Sequence, residues 1–112
     1  MYKTKFINSW GKEEFVSFKK GEYFNGNTAI IMMCEDPKCY GEVYGNLTVN
    51  LGEKMPRPEY VYIDVNNIGT NIIEVLVNDG MISNPIKYER SGFVLYPLVK
   101  LNEKFINQIG EI

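Results

Sequence analysis

Candidate catalytic and metal-binding residues are few in this 112-residue chain, and histidine is absent altogether. Histidine is the commonest general base and metal ligand, so its absence excludes Ser-His and Cys-His mechanisms. Ser91, followed by Gly92, has no base at motif spacing and is interpreted as a turn residue. The 14 acidic residues include no pair whose sequence context marks it for acid–base catalysis, and no glycine-rich phosphate loop is present. We therefore predict that the protein is not an enzyme and needs no cofactor.

Cys34 and Cys39 are the only cysteines, and four residues separate them. A structural zinc site takes four Cys or His ligands, so a metal here would need carboxylates such as Glu35 or Asp36, or a second chain. The redox motif has two intervening residues rather than four. Two thiols in a reducing compartment usually stay free, which is the prediction made here. The sequence leaves open whether they share a metal instead.

The segment Asp64–Gly69 places Asp, Asn and Gly at the first, third and sixth positions of a calcium loop. The match fails because Val75 stands where the bidentate Glu belongs and Ile68 occupies a ligand position. Capping of a helix by Asp64, Asn66 or Asn67 explains these polar residues better. The alternative is a polar recognition surface where a strand meets a helix, so we retain all three as candidate binding residues.

Tyrosines are the remaining feature, because each combines apolar area with a polar tip that can anchor an interface or stack on a base. The set comprises Tyr40, Tyr44, Tyr60, Tyr62, Tyr88 and Tyr96. Half-buried strand residues are the plainer interpretation, and the sequence does not decide which face they occupy. Tyr40, Tyr44 and Tyr96 join the candidate binding residues.

The first half of the chain is predicted to form strands, since β-branched and aromatic residues alternate with turn signals. Asn25-Gly26 predicts a type I′ hairpin turn. The apolar run within Thr28–Cys34 predicts a central strand covered on both faces. Tyr40–Leu51 is predicted to be one long strand that points Val43, Leu47, Val49 and Leu51 to the same face.

The second half is predicted to contain the helix. Ile72, Ile73, Leu76 and Val77 form an apolar stripe over residues 70–79, and Gly80 ends the helix. Further strands are expected over 60–65 and 92–101, with Pro97 at an edge or a bulge. The predicted fold is a single α+β domain over residues 1–112. It has a mainly antiparallel sheet of five to six strands, one packed helix and a possible short C-terminal helix.

Composition and charge narrow the function further. The 45% hydrophobic and 13% aromatic content excludes intrinsic disorder. The 14 acidic against 12 basic residues disfavour nucleic-acid binding, although a local basic patch stays possible. No apolar run approaches the ~20 residues of a membrane-spanning helix, and residues 1–5 lack a signal-peptide core. We therefore expect a cytoplasmic protein with no membrane association.

Several segments resemble, in order, the DUF4313 family: Tyr40–Leu51, Asp64–Asn67, a helix that ends at Asn78-Asp79-Gly80, Ser91–Phe93 and Tyr96–Leu98. The resemblance extends from the Asn25-Gly26 hairpin to Leu101. The family consists of small proteins of unknown function, found largely in Firmicutes and their conjugative elements and phages. It implies a mobile-element origin and supplies no catalytic residues.

The expected function is therefore non-catalytic binding to a protein in the service of a phage or conjugative element. Its sharpest form is inhibition of a host defence system, as by a small anti-CRISPR protein, with a host protein or defence complex as partner; this step rests on association alone. The alternative is a nucleic-acid-binding accessory protein of a conjugative element. An enzyme with carboxylate or metal chemistry is the third class.

Overall fold

The computed structural model describes residues 1–112, which form nine strands and three short helices. The strands are β1 Lys3–Ile7, β2 Glu13–Glu22, β3 Thr28–Cys34, β4 Val43–Asn46, β5 Thr48–Val49, β6 Tyr60–Ile63, β7 Lys87–Ser91, β8 Val94–Lys100 and β9 Gly110–Glu111. The helices are α1 Val65–Ile68, α2 Asn71–Asn78 and α3 Glu103–Ile106. None of the three helices has the length and hydrophobicity that a membrane-spanning segment requires.

The strands divide into two sheets. The first has the order β1-β2-β3-β4, and β9 extends its β1 edge by pairing in parallel with β2. The second has the order β5-β6-β8-β7, and all its pairs are antiparallel. The α+β class and the mainly antiparallel pairing are confirmed. The expected single sheet of five to six strands is wrong, because the chain leaves the first sheet at Leu47 and enters the second at Thr48.

The core joins the two sheets. A cluster of 16 buried hydrophobic residues draws members from both sheets and from all three helices. Leu47, at the crossing between the sheets, is fully buried within it. The single domain over residues 1–112 stays a prediction.

The predicted long strand Tyr40–Leu51 is interrupted. Residues 39–42 form a turn, and β4 and β5 belong to different sheets. The predicted common face is also wrong, because Val43 is exposed while Leu47 and Thr48 are both buried. Thr48 tolerates burial because its hydroxyl accepts a hydrogen bond from the Ile30 amide at 3.1 Å.

The hairpin at Asn25-Gly26 is confirmed, but its turn type differs from the prediction. The Tyr23 amide donates to the Asn27 carbonyl, and the Gly26 amide donates to the Tyr23 carbonyl. Only Gly26 has a positive φ, 86°, whereas a type I′ turn needs two such residues. The loop is therefore the three-residue kind, with glycine in the left-handed position. β3 is central as predicted, but only one of its faces is fully buried, since Ile31 and Met33 are half-buried.

Helix α2 confirms the predicted helix and its end at Gly80. The Met81 amide donates to the Leu76 carbonyl and the Gly80 amide to the Val77 carbonyl, which is the Schellman pattern. Gly80 adopts φ 73°, and Met81 is buried against the core. Asn71 is the first residue of α2. Its Oδ1 accepts a hydrogen bond from the Ile7 amide at 2.7 Å and so ties α2 to β1.

Pro97 lies in β8, which is an inner strand of the second sheet. The β6–β8 pairing stops at Leu98, so Pro97 is paired only with β7, opposite Tyr88. The expectation of an edge position is therefore wrong for the strand, although Pro97 lies just beyond the end of one of its two ladders.

The C-terminal helix is shorter than the tail, because α3 is followed by β9. Phe105 of α3 is fully buried, while Tyr2 stacks on Phe18 with ring centroids 5.8 Å apart. The Tyr2 hydroxyl donates to Asp79 Oδ2 at the end of α2. The tail, the N-terminus and α2 therefore meet at one place.

Alkaline unfolding should report on this contact. Burial, and then the hydrogen bond to Asp79, raise the pKa of Tyr2 above its ordinary value of about 10. Because the folded-state pKa is higher, this contribution to stability is present below pH ~10 and is lost as the pH rises further. We expect the melting temperature to fall more steeply above pH ~10 in the wild type than in Tyr2→Phe. Thermal melts of both proteins check this, with Tyr88→Phe as the control; parallel curves for wild type and Tyr2→Phe would contradict it.

Cys34 and Cys39 form a disulfide, with Cα atoms 5.8 Å apart. The prediction of free thiols is wrong, and so is the alternative of a shared metal. The turn after β3 brings the cysteines together, since the Cys39 amide donates to the Asp36 carbonyl and the Gly41 amide to the Cys34 carbonyl. The Cα separation is typical of disulfides. A turn over residues 35–38 is predicted from the sequence, but the prediction of free thiols rested on the expected compartment and did not consider how close this turn brings the cysteines.

Candidate functional site

A polar cleft of about 490 Å³ contains three of the six candidate binding residues, Tyr44, Asp64 and Asn67. It lies between the β1–β2 turn, β4 and α1. Its lining consists of Asn8, Trp10, Lys12, Glu14, Tyr44, Gly45, Asn46, Asp64, Asn67 and Ile68. The volume is within the usual range of small-ligand pockets.

Asp64 is at the point where β6 ends and α1 begins, and only 6% of the residue is exposed. Its position is that of an N-cap, but its side chain accepts no hydrogen bond from a helix amide. Instead, Asn67 Nδ2 donates to Asp64 Oδ2 at 2.8 Å. The predicted capping role is therefore wrong for the side chains of Asp64 and Asn67. The hydrogen bond holds the carboxylate at the edge of the cleft.

Asn8 organises the turn on the opposite side of the cleft. Its Oδ1 accepts the backbone amides of Trp10 and Lys12, at 2.9 and 3.0 Å. Its Nδ2 donates to Glu14 Oε1 and to the Tyr44 hydroxyl, both at 3.2 Å. This local side-chain-to-backbone bonding is the usual behaviour of Asn in turns. It fixes the backbone that presents Trp10, which is 86% exposed.

Tyr44 is half-buried on β4 and packs edge-on against Phe6, with ring centroids 5.9 Å apart. Burial raises its pKa, and the hydrogen bond from Asn8 offsets only part of that effect. The phenol therefore stays protonated near neutral pH and can donate a hydrogen bond.

The other three candidate residues do not line this cleft. Asn66 is exposed on α1, beside Asn67. Tyr40 is exposed in the turn that follows the disulfide. Tyr96 is half-buried on β8, opposite Glu89. Asn8 and Trp10 also line the cleft but were not among the residues predicted from the sequence. The feature that could have indicated them is the segment Asn8–Gly11, a turn that begins with Asn and contains the only tryptophan.

A second, apolar groove of about 220 Å³ lies between α2 and the β7–β8 hairpin. Ile73 and Val65 line the helical side. Tyr88, Leu95 and Pro97 line the strand side, on one face of the hairpin. Helix α1 therefore contributes to both sites, with Val65 in the groove and Asn67 in the cleft.

The β7–β8 hairpin exposes apolar side chains beyond this groove. Phe93 at its turn is fully exposed, and Tyr88 and Leu95 are 58% and 48% exposed. All five residues of β7 are exposed, and β7 is an edge strand. Several large apolar side chains exposed on one hairpin make it a candidate contact surface.

No group of three or more Cys, Asp or Glu side chains is placed to hold a metal ion. The fold and its two sites define a small α+β protein made of two sheets, with a polar cleft and an apolar hairpin on either side of one helical turn. The chain belongs to the family described as a domain of unknown function, DUF4313, whose model matches residues 17–109. The match begins in β2 and ends after α3, so it extends beyond the resemblance noted from the sequence. Comparisons with the curated proteins and with the solved structures find no match.

Proposed function

We propose that the protein is a non-catalytic binding protein whose target is another protein. The observation that carries the proposal is the β7–β8 hairpin, which exposes Phe93, Tyr88 and Leu95 next to an apolar groove. Large aromatic side chains that can be buried on contact supply most of the binding energy in protein interfaces. Exposing them without a partner brings no stability to the free protein.

The charges on the hairpin favour a protein over a nucleic acid as the target. Lys87, Glu89 and Arg90 alternate in sign along β7, so no positive surface is continuous there. Binding to phosphates depends on such a surface. Mixed charges around an apolar centre are the usual composition of a protein interface.

The partner proposed for this surface is a component of a host defence system. It is supported by the mobile-element origin that the family resemblance implies. The proposed place of action is the cytoplasm of the host. In that compartment the Cys34–Cys39 disulfide would be exposed to cellular thiols that can reduce it.

Removing the Phe93 ring should abolish most partner binding. We expect Phe93→Ala to lower the recovery of the partner from a Firmicutes host lysate by about tenfold or more, because a central aromatic anchor is lost. Tagged wild-type and variant proteins are compared by quantitative mass spectrometry. Phe24→Ala is the matched control, since Phe24 is also fully exposed but lies in the β2–β3 hairpin.

Both variants should keep the wild-type melting temperature, because neither ring packs in the core. Equal recovery by Phe93→Ala and Phe24→Ala would show that the hairpin is not the contact surface. Recovery of DNA alone, removable by nuclease and lost linearly in log salt, would replace this proposal with the accessory nucleic-acid-binding protein.

A further inference from the structure

The polar cleft holds a carboxylate, that of Asp64, which forms no ion pair within the protein. None of the three ion pairs includes Asp64, although Asp64 is only 6% exposed. Glu14 adds a second carboxylate to the lining, and Lys12 is the only basic residue there. The charged groups of the cleft therefore sum to one negative charge.

One oxygen of Asp64 is open to a ligand. Oδ2 accepts from Asn67, whereas Oδ1 accepts no hydrogen bond from the protein. No fully buried side-chain oxygen lacks a partner, so Oδ1 must reach the surface. Asp64 is part of the lining of this cleft, so the cleft is where a ligand can approach it. A poorly hydrated carboxylate of this kind binds a cationic donor strongly.

Trp10 supplies the second feature that a cation recognises. Its indole is exposed at the cleft, and the Asn8 side chain fixes the turn that carries it. The electron-rich face of tryptophan is the best aromatic partner for a cation. An exposed indole and a buried carboxylate in one cleft therefore favour a flat, positively charged group.

We propose that the cleft binds a guanidinium group, with the carboxylate of Asp64 as its anion and the Trp10 indole as its stacking surface. Guanidinium is planar and presents several donors, so one group can meet a carboxylate at its edge and an aromatic ring at its face. An ammonium group is a compact, strongly hydrated point charge and does not stack. Glu14 Oε1 already accepts from Asn8, so Glu14 Oε2 and the side-chain oxygen of Asn46 remain for its other N–H groups. The site is independent of the β7–β8 hairpin, and its test does not involve a partner.

Trp10 is the only tryptophan, so its fluorescence and its indole N–H signal report on the cleft directly. Capped arginine amide is titrated into the intact protein, with capped lysine amide as the comparison. We expect a saturable change with the arginine compound and at least about tenfold weaker binding of the lysine compound. A linear response to both, or equal affinity for both, overturns the proposal.

Two variants of opposite expected effect keep the test independent of folding. Asp64→Asn keeps an oxygen for the Asn67 hydrogen bond and should weaken arginine binding by about tenfold or more. Lys12→Ala removes the only cation of the cleft at an exposed position and should strengthen binding several-fold. Glu22→Gln, at an exposed position at the end of β2 and outside the cleft, is the control and should leave arginine binding unchanged. Unchanged affinity in Lys12→Ala contradicts the proposal even if Asp64→Asn does not fold.

Free arginine and agmatine distinguish the source of the guanidinium. A protein side chain as the natural ligand predicts that the capped compound, which carries the flanking peptide groups, binds more tightly than free arginine, which carries an α-ammonium and a carboxylate in their place. A small metabolite as the ligand predicts that agmatine, with its second positive charge, binds most tightly. Either order supports the guanidinium site, and absence of saturation by all three overturns it.

Discussion

Replacing Phe105 with alanine is expected to lower the free energy of unfolding by about 3–5 kcal/mol, the usual cost of removing a buried phenyl ring. Phe105 is 0% exposed. Its ring contacts Phe18 edge-on with centroids 5.1 Å apart and Tyr2 with centroids 5.9 Å apart. The cavity would open where the tail, the N-terminus and the first sheet meet, and three separate segments would have to move to close it.

Chemical denaturation of the wild type and Phe105→Ala measures this difference. Phe24→Ala is the control for loss of a phenyl ring at the surface and should change stability by less than about 0.5 kcal/mol. A loss below 1 kcal/mol in Phe105→Ala would mean that α3 and β9 contribute little to the folded state. A shallower denaturant dependence in the variant would instead indicate that the tail is already detached before the rest unfolds.

Local sequence patterns predict part of this fold, and long-range contacts such as those of Leu47 decide the rest. Local patterns predicted α2 and its glycine end, because the apolar stripe and the Schellman bonds involve residues within a few positions of each other. The division into two sheets depends on Leu47, whose amide donates to Ile30 while its carbonyl accepts from Asp64. Those partners are 17 residues away on either side, and alternation alone does not reveal them. The prediction that alternate residues of 43–51 share one face of a single strand is wrong for the same reason.

The candidate site shows the same limit. The polar residues of α1 were identified because they stand together in the sequence. Asn8 and Trp10, which lie across the cleft, were not identified, because only folding brings their turn next to α1. The contact between the two is the hydrogen bond from the Ser9 hydroxyl to the Asn67 carbonyl, 58 positions away in the sequence. A turn rich in Asn, Ser and Gly is ordinarily only a connection. Its role as one wall of a cleft follows from the packing of α1 against it.

Removing the Cys34–Cys39 disulfide is expected to lower the free energy of unfolding by about 2 kcal/mol. The crosslink closes a short loop, with a sequence separation of 5, and shorter loops constrain the unfolded chain less than long ones. Denaturation of the wild type with and without reductant gives the difference. The double variant Cys34→Ala, Cys39→Ala should match the reduced wild type and should not respond to reductant.

The fold itself should survive reduction, because other contacts hold the same turn. Lys3 Nζ pairs with Glu35 Oε1 at 3.1 Å, and the Ser17 hydroxyl donates to Glu35 Oε2 at 2.7 Å. Burial raises the pKa of Glu35, but the bonds from Ser17 and Lys3 outweigh it and keep that pKa below its ordinary value. These bonds therefore persist at neutral pH and weaken only as the pH falls through that lowered value.

Alkylation followed by mass spectrometry checks the crosslink directly. Protein purified without reductant should take up no thiol label, and reduced protein should take up two. If instead the protein is labelled twice without reduction and melts at the same temperature in both buffers, the disulfide is absent. The Glu35 contacts and the turn's hydrogen bonds would then close the β3–β4 connection without a crosslink. In either redox state the cleft and the hairpin should keep their binding properties, because neither is lined by residues 34–39.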